Sequence, residues 1–199
     1  KYLTLINFKI KAYNSIGIQL TNGEIQWANE ELKNMKLEFP VALFPFSVAS
    51  SRSIPNKKIK EWLNGSNQSV LILGSEGDAV LANSLINECT GIKLINLCGK
   101  YSMRESMALI SVCQFALASD SGLGHISASL GIPTISFFGA GDSGMTKPIG
   151  KRTFVINKDV YCSPCRKNVC MNTKDHLYCF NEILQIDVKD AIQSLNLNP

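Results

Sequence analysis

From residue 39 onward, short apolar runs alternate with segments of helical period. Six of these runs have the length of a strand, and they lie at 41–46, 70–73, 94–97, 115–119, 134–138 and 153–156. Helices are predicted at 55–63, 78–89, 102–113, 125–130 and 187–195. The strand runs are apolar throughout, as burial on both faces of a sheet requires. This order predicts an α/β domain with a doubly wound, mainly parallel sheet.

The first 38 residues follow a different pattern. They carry helix-like apolar spacing at 1–14 and 24–36 but no strand run of their own. We therefore expect 1–38 to be a linker or the tail of another domain, and 39–199 to form one domain. The sequence opens on Lys1 and not on Met, so we also expect it to be a piece of a longer chain.

Charge and hydropathy limit the class of partner. The net charge is +4 and only 18% of residues are charged. Such mild basicity suits phosphate-bearing or acidic ligands and does not require nucleic acid. No apolar run reaches the ~20 residues that span a bilayer, and the first residues lack the small-residue cleavage site of a signal peptide. We expect a cytoplasmic protein with no transmembrane segment and no nucleic-acid partner.

The polar turn at 120–125 follows a predicted strand and opens a short helix. Asp120, Ser121, Gly122, Gly124 and His125 lie in this turn. Backbone N–H groups at a helix start favour an anion, so the turn could cradle a phosphate. It could equally be a plain helix start that Asp120 caps. Asp120 is a poor candidate for a general base, because a helix N-terminus stabilises the charged carboxylate.

Three more turns follow predicted strands. Gly139, Gly141 and Gly144 match G-x-G-x-x-G, but Pro148 interrupts the helix that a dinucleotide site needs; a loop placing 143–147 beside the Asp120 turn is the alternative. Arg52 could pair with a phosphate or be an exposed cation. Asp78 or Glu76 could bind ribose hydroxyls, while Asp78 or Ser75 could instead cap a helix.

Seven cysteines are present, and four of them cluster. Isolated Cys89, Cys98 and Cys113 lie among apolar residues and predict buried thiols. The cluster occupies an irregular segment at 161–180 and could hold zinc or iron, or remain reduced or partly disulfide-bonded. Its members are Cys162, Cys165, Cys170 and Cys179.

Together these turns resemble the carboxyl-terminal half of glycosyltransferase family 9, the heptosyltransferases of lipopolysaccharide assembly. The resemblance begins near residue 41 and is most specific in the Asp-Ser-Gly…His…Gly-x-Pro segment at 120–133. It also rests on 44–55, 71–78, 97–103, 137–148 and the Cys-Ser-Pro-Cys segment at 162–165.

The resemblance implies a Rossmann-like sheet that is the C-terminal domain of a GT-B fold, binding a nucleotide sugar of the ADP-heptose type. It implies Arg52 as the cation that stabilises the departing diphosphate, Asp78 (or Glu76) at the ribose, Met103 near the nucleoside, and closure of the 139–148 loop over the donor. The implied donor-binding residues are Ser51, Arg52, Asp78, Met103, Asp120, Ser121, Gly122, Gly124, His125 and Gly139.

The same resemblance implies inverting transfer without a cofactor at the reacting centre. The acceptor would be a lipopolysaccharide core or another glycolipid or protein. The chain itself would be cytoplasmic, and its contact with the membrane would be at most peripheral, at the inner face of the inner membrane. The catalytic base belongs to the N-terminal GT-B domain, to which nothing in this sequence corresponds, so we expect the chain alone to bind donor and to transfer poorly.

Some relatives hold iron in a four-cysteine site, which implies a structural metal at the cysteine cluster. A non-catalytic nucleotide-sugar-binding module or partner subunit is the alternative, and a nicotinamide-dependent oxidoreductase rests only on the three glycines.

Overall fold

A computed structural model describes residues 17–197 and contains one six-stranded sheet. The strand order is β3-β2-β1-β4-β5-β6, and every neighbouring pair is parallel. All six predicted strands are therefore confirmed, and so is the doubly wound α/β class. The strands are β1 (Val41–Phe44), β2 (Val70–Ile72), β3 (Leu94–Asn96), β4 (Ala116–Ser119), β5 (Thr134–Phe138) and β6 (Thr153–Asn157).

Helices follow each of the first five strands. The predicted helix at 125–130 begins three residues earlier, at Gly122, while the predicted helix at 1–14 lies outside the described residues. Within residues 17–197, no helix is long and apolar enough to cross a membrane. The helices are α1 (Asn22–Asn34), α2 (Asn56–Leu63), α3 (Ala79–Glu88), α4 (Met103–Ser111), α5 (Gly122–Ser129), α6 (Ser143–Thr146), α7 (Tyr178–Asn181) and α8 (Gln185–Ser194).

Each face of the sheet has its own apolar core, because successive strand residues point to opposite faces. Val41 and Leu43 of β1 pack with α2, α3 and α8, and the Trp62 ring stacks on Phe137 at 4.3 Å between ring centroids. Ala42 and Phe44 pack with α1 and α4 on the other face. Full burial of a large apolar side chain stabilises the fold by about 1.5–3 kcal/mol, so both cores hold the loops at the strand ends in fixed positions.

Helix α1, which lies in the segment predicted to be a linker or the tail of another domain, packs against the sheet domain. Its Ala28 and Leu32 are buried in the core that also contains Leu109 of α4. The Arg104 guanidinium of α4 donates to the Glu24 carboxylate of α1. The prediction placed 1–38 in a linker or in the tail of another domain because that segment has no strand of its own. The sheet face that α1 covers is supplied by strands much later in the chain.

Candidate functional site

The order of the strands reverses between β1 and β4. From β1 the sheet grows toward β2 and β3, and from β4 it grows the other way, toward β5 and β6. In open α/β sheets ligands bind in the crevice outside the carboxyl ends of the two strands at such a switch point. Two of the predicted turns border this crevice, namely the one that carries Arg52 after β1 and the one that carries Asp120 after β4.

The side chains of Arg52 and Asp120 meet across the switch point. Arg52 Nη1 lies 3.4 Å from Asp120 Oδ2, and the Asp120 side chain is only 6% exposed against 32% for Arg52. Thr146 Oγ1, from α6, donates to Asp120 Oδ1 at 3.5 Å. The carboxylate therefore joins the Arg52 turn to the 139–148 loop.

Two buried polar atoms at this crevice lack a hydrogen-bond partner. Within the described part of the chain, no hydrogen bond reaches Arg52 Nε or Ser121 Oγ, whereas Asp120 Oδ2 has Arg52 Nη1 as its ion-pair partner. Buried polar groups in proteins are nearly always hydrogen-bonded, so a cluster of orphans needs an explanation. A bound ligand with phosphate oxygens would accept from the guanidinium and the hydroxyl.

The α5 N-terminus opens at the same place. Ser121 is its N-cap residue, but the Ser121 side chain makes no capping hydrogen bond. The predicted capping by Asp120 is not seen either, because the Asp120 carboxylate pairs with Arg52. The Gly124 N–H donates to the Ser121 carbonyl oxygen at 3.2 Å, which leaves the first two N–H groups of α5, those of Gly122 and Leu123, for an anion, as the phosphate-cradle interpretation requires.

The two glycines of this turn serve different purposes. A Cβ added at Gly122 would meet no described atom within 4 Å, so Gly122 borders open space where a ligand could approach the backbone. A Cβ at Gly124 would lie 3.0 Å from Ala118 Cβ, so Gly124 instead allows α5 to pack closely on β4. His125 is exposed on the first turn of α5.

The glycines after β5 are explained by packing. A Cβ at Gly139 would lie 2.6 Å from the Phe180 ring and 2.8 Å from Cys179 Sγ, and a Cβ at Gly141 would lie 2.1 Å from Asp120 Oδ2. The helix that follows, α6, ends at Thr146, before Pro148. The G-x-G-x-x-G match therefore lacks the helix that a dinucleotide site needs.

The turn after β2 carries both candidates for the ribose-binding acid, Asp78 and Glu76, and the two differ in their hydrogen bonds and exposure. Asp78 Oδ2 accepts from the Ser75 backbone N–H at 2.8 Å and from the Ser75 hydroxyl at 2.7 Å, which is the capping alternative. Glu76 is exposed at the same turn. Burial, together with the nearby Asp78 charge, raises the pKa of the Cys98 thiol behind this turn to about 11. The geometry favours Glu76 over Asp78 for contact with a ligand.

Exposed apolar side chains flank the turn of Glu76. Met103, the first residue of α4, is 58% exposed, and Val80 and Leu81 in the first turn of α3 are 77% and 53% exposed. Both helices start just beyond the carboxyl ends of β2 and β3. Met103 is thus at the predicted sheet edge, and Val80 and Leu81 are not among the predicted site residues.

Ser51 lies in the turn of Arg52, and its side chain is used inside the protein. The residue is 1% exposed, and its hydroxyl donates to the Lys167 carbonyl oxygen in the cysteine segment. Contact of Ser51 with the donor stays a prediction. The sequence offered no signal for the bond between Ser51 and Lys167, since the two residues are 116 positions apart.

The four clustered cysteines line one cavity of about 380 Å³, together with Tyr161 and Met171. The pKa of the Cys179 thiol is raised to about 11, mainly because the thiol is buried. Electrostatic repulsion by the three other cysteines of the cluster raises this pKa further. Asn172 Nδ2 donates to Cys162 Sγ at 3.6 Å, and the Leu177 N–H donates to Cys170 Sγ at 3.3 Å.

Four sulfurs are a donor set that suits zinc or iron. In residues 17–197, however, no three Cys, His, Asp or Glu side chains are gathered closely enough to hold an ion. All seven cysteines are free thiols, and Cys89, Cys98 and Cys113 are buried as predicted.

Comparison with known sequences gives a consistent result. A sequence model of glycosyltransferase family 9 (heptosyltransferase) matches residues 32–176, well over half of the chain. Lipooligosaccharide heptosyltransferase 2 of Campylobacter jejuni is 28% identical over 131 residues, which are 64% of this chain and 41% of the relative. Lipopolysaccharide heptosyltransferase 1 of Pseudomonas aeruginosa is 32% identical over 71 residues, which are 36% of this chain and 20% of the relative.

Solved structures share the fold. The ADP-heptose lps heptosyltransferase II of E. coli superposes with a TM-score of 0.73 at 18% identity, over 90% of this chain and 53% of that protein. A family 9 glycosyl transferase from Veillonella parvula gives a TM-score of 0.78 at 17% identity, over 97% of this chain and 57% of that protein. TibC, described as a dodecameric iron-containing heptosyltransferase, gives 0.61 at 16% identity, over 80% of this chain and 45% of that protein. The chain thus spans about half the length of these relatives.

Proposed function

The chain belongs to glycosyltransferase family 9, the heptosyltransferases, and from that premise we propose that it binds the diphosphate of a nucleotide-activated sugar at the crevice between β1 and β4. The observation that carries this proposal is the cluster of Arg52, Asp120 and Ser121 at the α5 N-terminus. A guanidinium with an unpartnered Nε, an unpartnered buried hydroxyl and free helix N–H groups all converge there. These are the groups that bind phosphate oxygens in proteins.

The same cluster suits the chemistry of sugar transfer. When a glycosyl bond to a nucleoside diphosphate breaks, the departing diphosphate gains negative charge. Donors and cations fixed in advance stabilise such charge in the transition state more than in the ground state. In our proposal Arg52 and the α5 N–H groups have this role, and His125 adds a donor on the exposed first turn of α5.

The nucleoside would extend from the crevice toward β2 and β3. Glu76 is the preferred ribose ligand there because a carboxylate oxygen of Asp78 is already used in the cap of its own turn. Met103 would pack against the base. The 139–148 loop, which already reaches Asp120 through Thr146, would cover the donor.

The activity of the whole protein follows as a wider proposal. We propose an ADP-heptose-type donor, inverting transfer to a lipopolysaccharide core or another cell-surface acceptor, and a cytoplasmic location at the inner face of the inner membrane. A second GT-B domain would bind the acceptor and supply the base. The chain described here would supply the donor half of the cleft.

Ligand titration tests the donor-site proposal. The purified 199-residue chain is titrated with ADP, UDP, adenosine and NAD by calorimetry. We expect a nucleoside diphosphate to bind at least tenfold more tightly than adenosine, because the diphosphate adds charge-assisted hydrogen bonds worth about 1.5–3 kcal/mol each. Binding of NAD without binding of either diphosphate would overturn the proposal in favour of an oxidoreductase.

The cysteine cavity is a second, separate proposal. We propose that the four thiols that line it bind one structural iron or zinc ion, on loss of their protons and regrouping around it. The proposal rests on four soft ligands that share one cavity, since thiolates are the ligands those metals prefer. Such an ion would fix the irregular segment at 161–180 and take no part in the transfer step.

Elemental analysis tests the metal proposal. In protein purified under reducing conditions we expect about one iron or zinc per chain. Replacing Cys162 and Cys170 together by serine should remove it, while replacing the buried Cys113 by serine should not. Protein that contains neither metal, after growth in medium that supplies both, would reject the site.

A further inference from the structure

Residues 163–168 of the cysteine segment form a strap between two strand ends. At one end, Ser163 Oγ donates to the Gly139 carbonyl oxygen at 2.6 Å and the Arg166 N–H donates to the Ala140 carbonyl oxygen at 2.8 Å. At the other end, the Ser51 N–H donates to the Asn168 carbonyl oxygen at 3.1 Å. The strap therefore connects the turn after β5 with the turn after β1.

The strap passes the donor site, because β4 lies between β1 and β5 in the sheet. The turn after β4 carries Asp120, so the two anchored turns lie on either side of Asp120, and one of them carries Arg52. The Arg166 guanidinium also pairs with Asp142 and lowers the pKa of that carboxyl group. The turn after β5 is thus held by two hydrogen bonds to its backbone carbonyl oxygens and by one ion pair.

Ser51 is the buried anchor at the Arg52 end. Its hydroxyl and its N–H both bind strap carbonyl oxygens, of Lys167 and Asn168. Ser50 adds a more exposed hydrogen bond, from its hydroxyl to Asn168 at 3.3 Å. Arg52 is the next residue in the chain and closes the same 3-10 turn. The position of the Arg52 backbone is therefore set by a segment more than 110 residues away.

We propose that Ser51 is a positioning residue, which holds Arg52 at the diphosphate by fastening its turn to the strap. This inference rests on the proposed function, because it assumes that Arg52 binds the diphosphate. In this role Ser51 itself touches no ligand. Loss of its hydroxyl would leave the Lys167 carbonyl oxygen without that hydrogen bond and let the Arg52 turn shift away from the strap.

The test compares two ligands on one variant. In Ser51→Ala we expect ADP to bind several-fold and at most about tenfold more weakly, because one buried hydrogen bond sets the upper limit of the free energy that holds the Arg52 turn in place, and adenosine to bind within about twofold of its original affinity. Ser111→Ala is the matched control, since its hydroxyl donates to the Ala108 carbonyl oxygen at 2.7 Å in α4, outside the site. The control should change neither affinity.

A double-mutant cycle separates positioning from general loosening. If Ser51 acts through Arg52, Ser51→Ala should cost no further ADP affinity in a chain that already carries Arg52→Ala. If Ser51→Ala does not fold, the milder Ser50→Ala should show the same selective loss at about two- to threefold. Unchanged ADP binding in Ser51→Ala, equal losses for ADP and adenosine, or an undiminished effect in the Arg52→Ala background would each overturn the inference. If the unaltered chain binds neither ADP nor UDP, the proposed function itself fails.

Discussion

Replacing Arg52 by alanine is expected to weaken ADP binding by between about tenfold and a hundredfold, while adenosine affinity stays nearly constant. One or two charge-assisted hydrogen bonds to phosphate oxygens would be lost, each worth about 1.5–3 kcal/mol. The change also leaves the carboxylate of Asp120, whose side chain is 6% exposed, without its cation. The measurement is calorimetric titration with both ligands, at a temperature well below the unfolding midpoint of the variant.

Two further variants make this result specific. Lys57→Ala removes an equal charge from an exposed position on α2 and should leave ADP affinity within about twofold, as screened surface charges do. Arg52→Lys keeps the charge but not the planar fork of donors, so its ADP affinity should fall between those of the alanine variant and the original chain. Equal losses for ADP and adenosine in Arg52→Ala would contradict the assigned role.

Replacing Gly99 by alanine is expected to lower the free energy of unfolding by about 3 kcal/mol. Gly99 has a φ of 70°, and an added Cβ would lie 2.6 Å from Glu76 Cα. The left-handed backbone costs an L-residue about 1–2 kcal/mol, and forcing an atom into a packed position costs about 1–3 kcal/mol. Urea denaturation measures the change. Because the clash is with the backbone of Glu76, adenosine binding should weaken as well.

Gly65 provides the matched control for this steric effect. It has a φ of 79°, yet an added Cβ would meet no described atom within 4 Å. Gly65→Ala should therefore show only the backbone cost of about 1 kcal/mol and no change in ligand binding. If both variants lose the same stability, the contact between Gly99 and Glu76 does not constrain the fold.

The parallel sheet and the edge at which its polar turns lie could be predicted from the sequence because their signals are local. Strands buried on both faces are continuous apolar runs, and each is followed by a polar turn, as at Arg52 and Asp120. Parallel strands bring such turns to one edge whatever the details of packing. To predict that Arg52 and Asp120 lie close together, one needs in addition only the order of the strands, which makes β1 and β4 neighbours.

Features that depend on distant parts of the chain could not be predicted in this way. The short-range pattern of α1 shows an apolar stripe but not the sheet face that it covers. Gly139 looks like a phosphate-loop glycine, although Phe180 is what leaves it no space for a side chain. The cap formed by Asp78 was one of two local alternatives, and its hydrogen bonds to Ser75 are seen only in the folded turn.

The strap also fixes when the donor site can be completed during synthesis. The bonds from Ser50 and Ser51 close loops of 118 and 116 residues, and the Trp62 indole donates to a carbonyl oxygen 121 residues further on, at Ile183. A chain emerging from the ribosome can pair β1 with β2 and β4 long before these partners exist, because those strands lie earlier in the chain. The turn that carries Arg52 can therefore be fastened to the strap only after residue 168 has been made.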